Sequence, residues 1–456
     1  MNSLFKVEFN WGIYLGIIIF LRLLFPSVSW LGYFGIIISL HQFLLLFYSL
    51  GSVIPVRYLL GSFMCLQMFI GPVLAYNGLD EYQHGFLKMQ IPEADYFAYV
   101  IPAVGCFIAG LHIRAGMLEG EMVNREDIQL FVEKNRQLPY IFIGIGFVSS
   151  LSSGFFGSEL GFVFTLLGGF KFIGTFLIIL GNQKLKPIFL VLVYGSVISS
   201  SLGGAMFHDL LTWIIFIGSV FAIKYKPSSQ VKAIFVIAFM SLALFIQLMK
   251  SDYREATWTN GEEGGLNTLT KTYEKGQEKN DFFSIDKLAG SNIRINQGFI
   301  VTNIMRNIPA QVPYAEGSEL KQILEAAILP RILAPNKLNA GDRIFFMKWA
   351  GMPIAEGTSM GLSSVGDAYI NFGAIGGSIF MFVYGFLFSE VLKAFYRYSK
   401  TYPVLILFTA LVFYYPIRPD CELQTILGHL VKCCFLIFVM IQVWSQKFRI
   451  NYVLST

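Results

Sequence analysis

The sequence predicts an all-α polytopic membrane protein with about twelve transmembrane helices and one large external loop that bears amphipathic interfacial helices. Three observations carry this expectation. Only 14% of the 456 residues are charged and 55% are hydrophobic, against roughly 25% charged in a soluble domain. Apolar windows near the length of about 20 residues that a bilayer core demands recur along most of the chain. Lys and Arg gather in every second connecting loop, the pattern of cytoplasmic loops in a multi-pass protein.

The windows run from Trp11 to Phe25, Trp30 to Leu50, Tyr58 to Tyr76, Tyr96 to Ile113, Pro139 to Phe156, Leu160 to Leu180, Ile188 to Phe207, Leu210 to Ile223 and Ala233 to Met249. Three more run from Phe372 to Val391, Val404 to Ile417 and Leu423 to Trp444. The loops expected on the cytoplasmic side hold Arg57; Arg114, Arg125, Lys134 and Arg136; Lys184 and Lys186; Lys224, Lys226 and Lys232; and Lys393, Arg397 and Lys400. The tail adds Lys447 and Arg449, and the alternate loops are neutral or carry Asp80, Glu81, Glu93 and Asp95. That alternation puts both termini inside and the long loop outside.

The chain therefore divides into a nine-helix membrane bundle (1–249), a large external loop (250–371) and a three-helix membrane segment (372–456). A polar stretch of about 120 residues is too long for an ordinary connection, so it is either functional or disordered. Its first part, Tyr253 to Asp286, is rich in Glu, Lys, Gly and Thr and reads as a loosely packed cap. Beyond Ser291, Ile293, Phe299, Ile300, Ile304 and Ile308 recur at helical spacing until Pro309, and a second amphipathic piece runs from Glu319 to Ile328. Both suit helices lying on a membrane surface with the apolar face down. From Gly357 to Gly373 the residues are small, hydroxylated or glycine, which lets backbone N–H groups approach an anion. In the loop from Arg114 to Leu138, the stretch from Asp127 to Asn135 is an amphipathic, solvated helix.

Composition narrows the function. A net charge of +5 is accounted for by topology-setting loop cations and does not call for a nucleic-acid partner. The five cysteines show neither a disulfide framework nor metal-ligand spacing. Met1 to Asn10 carries Lys6 and no cleavage site, so the first window reads as a retained helix. No repeat of 20 to 50 residues is visible.

Ionisable residues inside apolar windows are costly and call for a polar partner or cavity. Lys171 and Lys432 are the two such cations, the latter one turn after His429. Arg22 and Arg57, at helix ends, are expected to snorkel. His41, His112 and Glu390 read as structural. The external face holds Arg294, Arg306, Arg331, Arg343 and Lys348 in the long loop, with Arg418 and Asp420 in the short loop before the last helix. Guanidinium forks match phosphate oxygens, so these arginines suit a lipid-linked phosphate or pyrophosphate, with surface ion pairing as the alternative for each alone.

The run from Pro330 to Lys337 (PRILAPNK), the run from Thr358 to Gly377 (TSMGLSSVGDAYINFGAIGG) and the Arg418-x-Asp420 pair resemble the Wzy-type O-antigen and exopolysaccharide repeat-unit polymerases. The recognisable motif covers about 330 to 425. The resemblance implies a GT-C-like membrane glycosyltransferase that moves a growing oligosaccharide from undecaprenyl pyrophosphate onto a lipid-linked repeat unit at the external face of the bacterial inner membrane. It implies partners in membrane lipid, a flippase and a chain-length regulator. By the same resemblance Arg331, Arg343 and Arg418 hold the donor pyrophosphate, with Arg306, Arg294, Lys432 and Asp420 as further substrate contacts. Asp367 becomes the base or acceptor-orienting group, and Tyr369 and Asn371 line the sugar site. Asp367 stands where such segments often carry Glu, one methylene longer. Helix capping and tight packing are the alternative for the segment from Gly366 to Gly373. No Asp-x-Asp or His/carboxylate cluster marks a metal site, so a cofactor-free, metal-independent transfer is expected. A flippase or transporter of the same lipid, a ligase moving finished glycan to another acceptor, and a non-enzymatic assembly partner are the competing classes.

Overall fold

Runs of Ile, Leu and Phe interleaved with Gly and Ser leave backbone groups that only an internal hydrogen-bond ladder can satisfy in lipid, and helices supply it. The computed structural model describes residues 10–113, 115, 122–155, 158–181, 187–278, 283–329 and 333–449. Arg114, Lys184, Lys186, Pro330 and Arg331 lie outside the described residues. Helix makes up 77% of the chain and no strand occurs among the described residues, so the all-α class holds.

The N-terminal part contains α1 (Trp11–Leu24), α2 (Trp30–Ser49), α3 (Val56–Tyr76), α4 (Glu93–His112), α5 (Arg125–Lys134), α6 (Leu138–Phe155), α7 (Gly161–Leu180), α8 (Pro187–Gly204), α9 (His208–Tyr225) and α10 (Ser229–Thr259). The former long loop contains α11 (Leu266–Glu278), α12 (Ile285–Ile295), α13 (Gly298–Asn307), α14 (Ser318–Ile328) and α15 (Arg343–Ala350). The last part is α16 (Ser363–Ser399), α17 (Leu405–Val412) and α18 (Leu423–Val443).

Among the described residues, ten helices are long and apolar enough to cross a membrane, rather than the twelve expected. The two windows that fall short are α1, with 14 residues, and α17, with eight. At 1.5 Å per residue, α1 rises only about 21 Å against a hydrocarbon core of about 30 Å. All eight residues of α17 are buried, so its hydrophobicity serves the protein core.

Three further expectations change. Helix α16 starts at Ser363, so the small-residue stretch lies inside the helix from Ser363 on, and the interruption comes at Gly373 (φ 64°, ψ −165°), a backbone conformation that favours glycine. The apolar side chains of α13 (Phe299, Ile300, Val301, Ile304) face the protein core, not a membrane surface. Thr302 and Asn303 on that helix reach neighbouring backbone: Thr302 Oγ1 accepts the Gln90 N–H at 3.1 Å, and Asn303 donates to the Phe86 carbonyl at 2.9 Å. Arg57 does not snorkel. It is 1% exposed, and its guanidinium donates to the Leu111 carbonyl and, at 3.0 Å, to Ser389 Oγ, tying α3 to α4 and α16.

The cap begins on an anchor: Tyr253 is fully buried and its hydroxyl donates to the Leu202 carbonyl at 3.0 Å. Arg22, by contrast, sits at a helix end as expected, donating to the Val28 carbonyl at 2.6 Å. The amphipathic stretch after Asn124 is helical, with Ile128, Phe131 and Val132 buried.

The most extensively packed pair is α4 with α16. Gly110 and Gly385 face each other's helices so closely that a Cβ at Gly110 would stand 2.2 Å from the Phe382 carbonyl oxygen, and one at Gly385 2.2 Å from that of Phe107. Small residues at a crossing let two membrane helices approach backbone to backbone, gaining dispersion contacts that lipid cannot match. Gly385→Ala is therefore expected to lower stability by about 1–3 kcal/mol. Gly144→Ala, where a Cβ meets nothing within 4 Å, should be nearly silent. Thermal unfolding in detergent reads both.

Candidate functional site

Helix α3 contains a π-helical turn, Leu66–Ile70. Such a turn releases a backbone carbonyl from the i→i−4 ladder. The Gln67 carbonyl accepts the Gln297 N–H at 3.1 Å, which docks the start of α13. The Gln67 amide donates to Asp420 at 3.4 Å. Next to this junction, Gly361 passes so near the 420–422 backbone that a Cβ would lie 2.8 Å from both the Asp420 carbonyl oxygen and the Glu422 nitrogen. Glycine is required there by close approach, and it binds the segment before α16 to the loop before α18.

Between these elements lies a cavity of about 340 Å³, lined by Gln297, Ile300, Ser359, Met360, Gly361, Arg418, Asp420, Cys421, Glu422 and Thr425. Arg418 donates to Asp420 at 3.4 Å, and its ring-facing side lies over Tyr415 at 5.5 Å. Burial pushes the Asp420 carboxyl up, but Arg418, His208 and the hydrogen bond from Gln67 together hold the group below the usual carboxylate range. Burial acts to lower Arg418, yet the neighbouring Asp420 carboxylate acts the other way and the guanidinium stays cationic. Burial pushes the Cys421 thiol up to about 12, so it stays a neutral thiol at neutral pH. Glu422 accepts the Gly341 N–H with both oxygens, at 2.9 and 3.0 Å, and the Thr425 hydroxyl at 2.6 Å. The arrangement offers one cation and two carboxylates on one face, with hydroxyls from Ser359 and Thr425 and the Gln297 amide: hydrogen bonding for a polyhydroxylated ligand and charge for an anionic one.

Asp367 lies behind this cavity, 2% exposed, against a much smaller one of about 10 Å³ that Glu422 also lines. Its carboxyl faces the Leu423 N–H and the carboxyl of Glu319, which is fully buried. Burial raises Glu319 to about 7, with hydrogen bonds from Asn371 and Asp367 acting the other way. Asn371 is committed to the same cluster: its amide donates to Glu319 and, at 2.8 Å, to the Asp367 carbonyl, while its carbonyl accepts the Leu320 N–H at 3.1 Å. Tyr369 packs on Tyr99 at 5.0 Å and meets the Tyr314 hydroxyl at 3.5 Å.

The family described as domain of unknown function DUF8712 matches residues 117–418, about two thirds of the chain. The chain belongs to that family. No curated protein and no solved structure matches the chain significantly.

Of the residues singled out in the sequence, this DUF8712 protein brings Arg418 and Asp420 together in the cavity. Arg343 donates to the Ile354 carbonyl at 2.7 Å, and Arg306 donates to Gln90 and, at 3.3 Å, to Asn303. Neither lines the cavity. Lys432 lies over Phe162 at 4.2 Å, and Lys171 stands 3.4 Å from Ser150 Oγ. Arg294 donates to the Gln247 carbonyl at 3.4 Å and forms a basic group with Arg254 and Lys250, of which Lys250 also feels Asp420 and Arg418. Burial, then Arg254, hold Arg294 below its ordinary value against Asp252. The sequence reading passed over Glu422, Gln67, Gln297 and Lys250. Glu422 alone left a signal, four residues after Arg418 at the mouth of the last helix.

The raised Glu319 fixes a sign. Between its ordinary value of 4.5 and about 7 the folded chain holds a proton that the unfolded chain releases, so this contribution to stability is lost as pH rises through that window. The thermal midpoint in detergent is expected to fall from about pH 5 to pH 8, and Glu319→Gln, which keeps an acceptor for Asn371, to flatten the decline.

Proposed function

We propose that this protein is a membrane glycosyltransferase that extends a glycan by moving it from a polyprenyl pyrophosphate carrier onto a lipid-linked repeat unit. The observation that carries the reading is Arg418, a largely buried guanidinium held by Asp420 in a hydroxyl-rich cavity beside helices long enough to cross a membrane. Breaking a glycosyl–pyrophosphate bond develops negative charge on the leaving oxygen, and a fixed cation in a partly desolvated site stabilises it. A carboxylate within reach of the acceptor hydroxyl takes its proton. The resemblance of 330–425 to Wzy-type polymerases supports the same reading, together with a GT-C-like architecture and cation-based, metal-independent transfer. Arg331 is the second cation of the proposal.

The loop charges support placing both termini in the cytoplasm and the cavity at the external face of a bacterial inner membrane, where undecaprenyl-pyrophosphate oligosaccharide, a flippase and a chain-length regulator would meet it. Ligase and flippase readings separate from this one by phenotype.

Deletion of the gene is expected to leave surface glycan of a single repeat on a gel. Complete loss of glycan would instead indicate a flippase, and long chains retained on the carrier a ligase. Arg418→Ala and Arg331→Ala should cut elongation by about 10²–10³-fold at unchanged protein level; full-length glycan in either variant removes that residue from the mechanism.

A further inference from the structure

Resting on the glycosyl-transfer reading of the cavity, we infer that Glu422 is the general base that accepts the proton of the acceptor hydroxyl. Elimination within the cavity comes first. Asp420 is paired with Arg418 and accepts from Gln67, so its charge is spent holding the cation. Cys421 is a neutral thiol. Ser359 and Thr425 offer only weakly basic hydroxyls. Asp367 and Glu319 are turned toward each other outside the cavity. Glu422 is the remaining carboxylate on the wall, and no ion pair among the described residues includes it.

Its hydrogen bonds aim it. The Gly341 N–H binds both oxygens from one side, and the Thr425 hydroxyl binds Oε1. A carboxylate offers about four lone-pair directions, so after these bonds at least one remains, on Oε2, for a group in the cavity. Gly341 is suited to this by its positive φ of 71° and by lying so close to Ser359 that a Cβ would stand 2.4 Å from Oγ. Two loops distant in sequence thus converge to hold one carboxylate in the cavity that Arg418 also lines.

The step balances without a co-reactant. The acceptor oxygen bonds to the anomeric carbon of the donor sugar, and the anomeric C–O bond to pyrophosphate breaks, its electron pair leaving on the pyrophosphate oxygen beside Arg418. The hydroxyl proton passes to Glu422, which then releases it to solvent. A carboxylate serves, as it does in inverting glycosidases, because the hydroxyl becomes acidic only as the new bond forms.

The test uses full-length protein in native membranes with lipid-linked repeat units, reading repeats added per folded protein. Glu422→Gln keeps the acceptor for Gly341 and is expected to slow elongation about 10²–10⁴-fold. Glu422→Asp should retain more activity than Glu422→Gln, and Glu422→Ala should regain elongation with added sodium formate but not with sodium chloride. A merely structural glutamate would give no formate rescue. Wild-type elongation in Glu422→Gln overturns the inference, as does loss without formate rescue and with Glu422→Asp equally impaired. If Arg418→Ala and gene deletion leave glycan length unchanged, the glycosyl-transfer reading itself fails; if they shorten it and Glu422→Gln does not, only the base assignment fails.

Discussion

The backbone-to-backbone approach of α4 and α16 at Gly110 and Gly385 is the constraint on which the rest depends. It fixes a 37-residue helix whose first turns carry Asp367 and Asn371 and whose N-terminal approach, 359–361, forms one wall of the cavity. Tyr99 on α4 adds a second tie, its hydroxyl donating to the Val365 carbonyl at 2.6 Å. Arg57 ties the opposite half of both helices through Leu111 and Ser389. A shift of α16 along α4 would disturb the cavity wall and the buried carboxyl pair together, because packed helices move as units.

Hydropathy made most of the membrane helices legible, since a lipid-facing helix must be apolar over its whole length. It misled where apolar residues serve a protein core instead. In α17 every residue is buried, and the Phe299–Ile304 face of α13 looks inward, because these short segments are covered by neighbouring helices that no local pattern reveals. The same blindness applies to polar groups. Arg57 has the sequence neighbourhood of a snorkelling residue, and only the distant Leu111 carbonyl and Ser389 hydroxyl explain its burial.

The site was legible at Arg418 and Asp420 because prolines on both sides of the arginine and the brevity of the loop confine them to one place. Asp367 and Asn371 stood out in the sequence for their position in a small-residue segment, but their partners sit 52 residues away or less on α14, and the contact locks helix to helix: Asn371 bridges Glu319 and the Leu320 N–H. Polar residues in an apolar helix are as readily explained by such an internal network as by a ligand, and only tertiary partners tell the two apart. Gln67 was hidden for another reason. Its role arises from a π-helical turn, which has no strong composition signature.

Charge supplies the last step. Arg418, Asp420 and Glu422 taken alone give the cavity wall a net negative charge, which disfavours a pyrophosphate. Lys250 lies in the field of Asp420 and Arg418, with Arg254 and Arg294 around it, and Asp252 nearby is occupied by Lys287 at 2.8 Å. On the proposed reading, an elongated ligand with an anionic end and a hydroxyl-bearing end would lie with its anion toward Lys250 and its hydroxyls toward Glu422 and Thr425. Arg418 lines the cavity and also acts on Lys250, so on the proposed reading a single arginine in a mixed-charge cavity, backed by a second cation, would face the pyrophosphate.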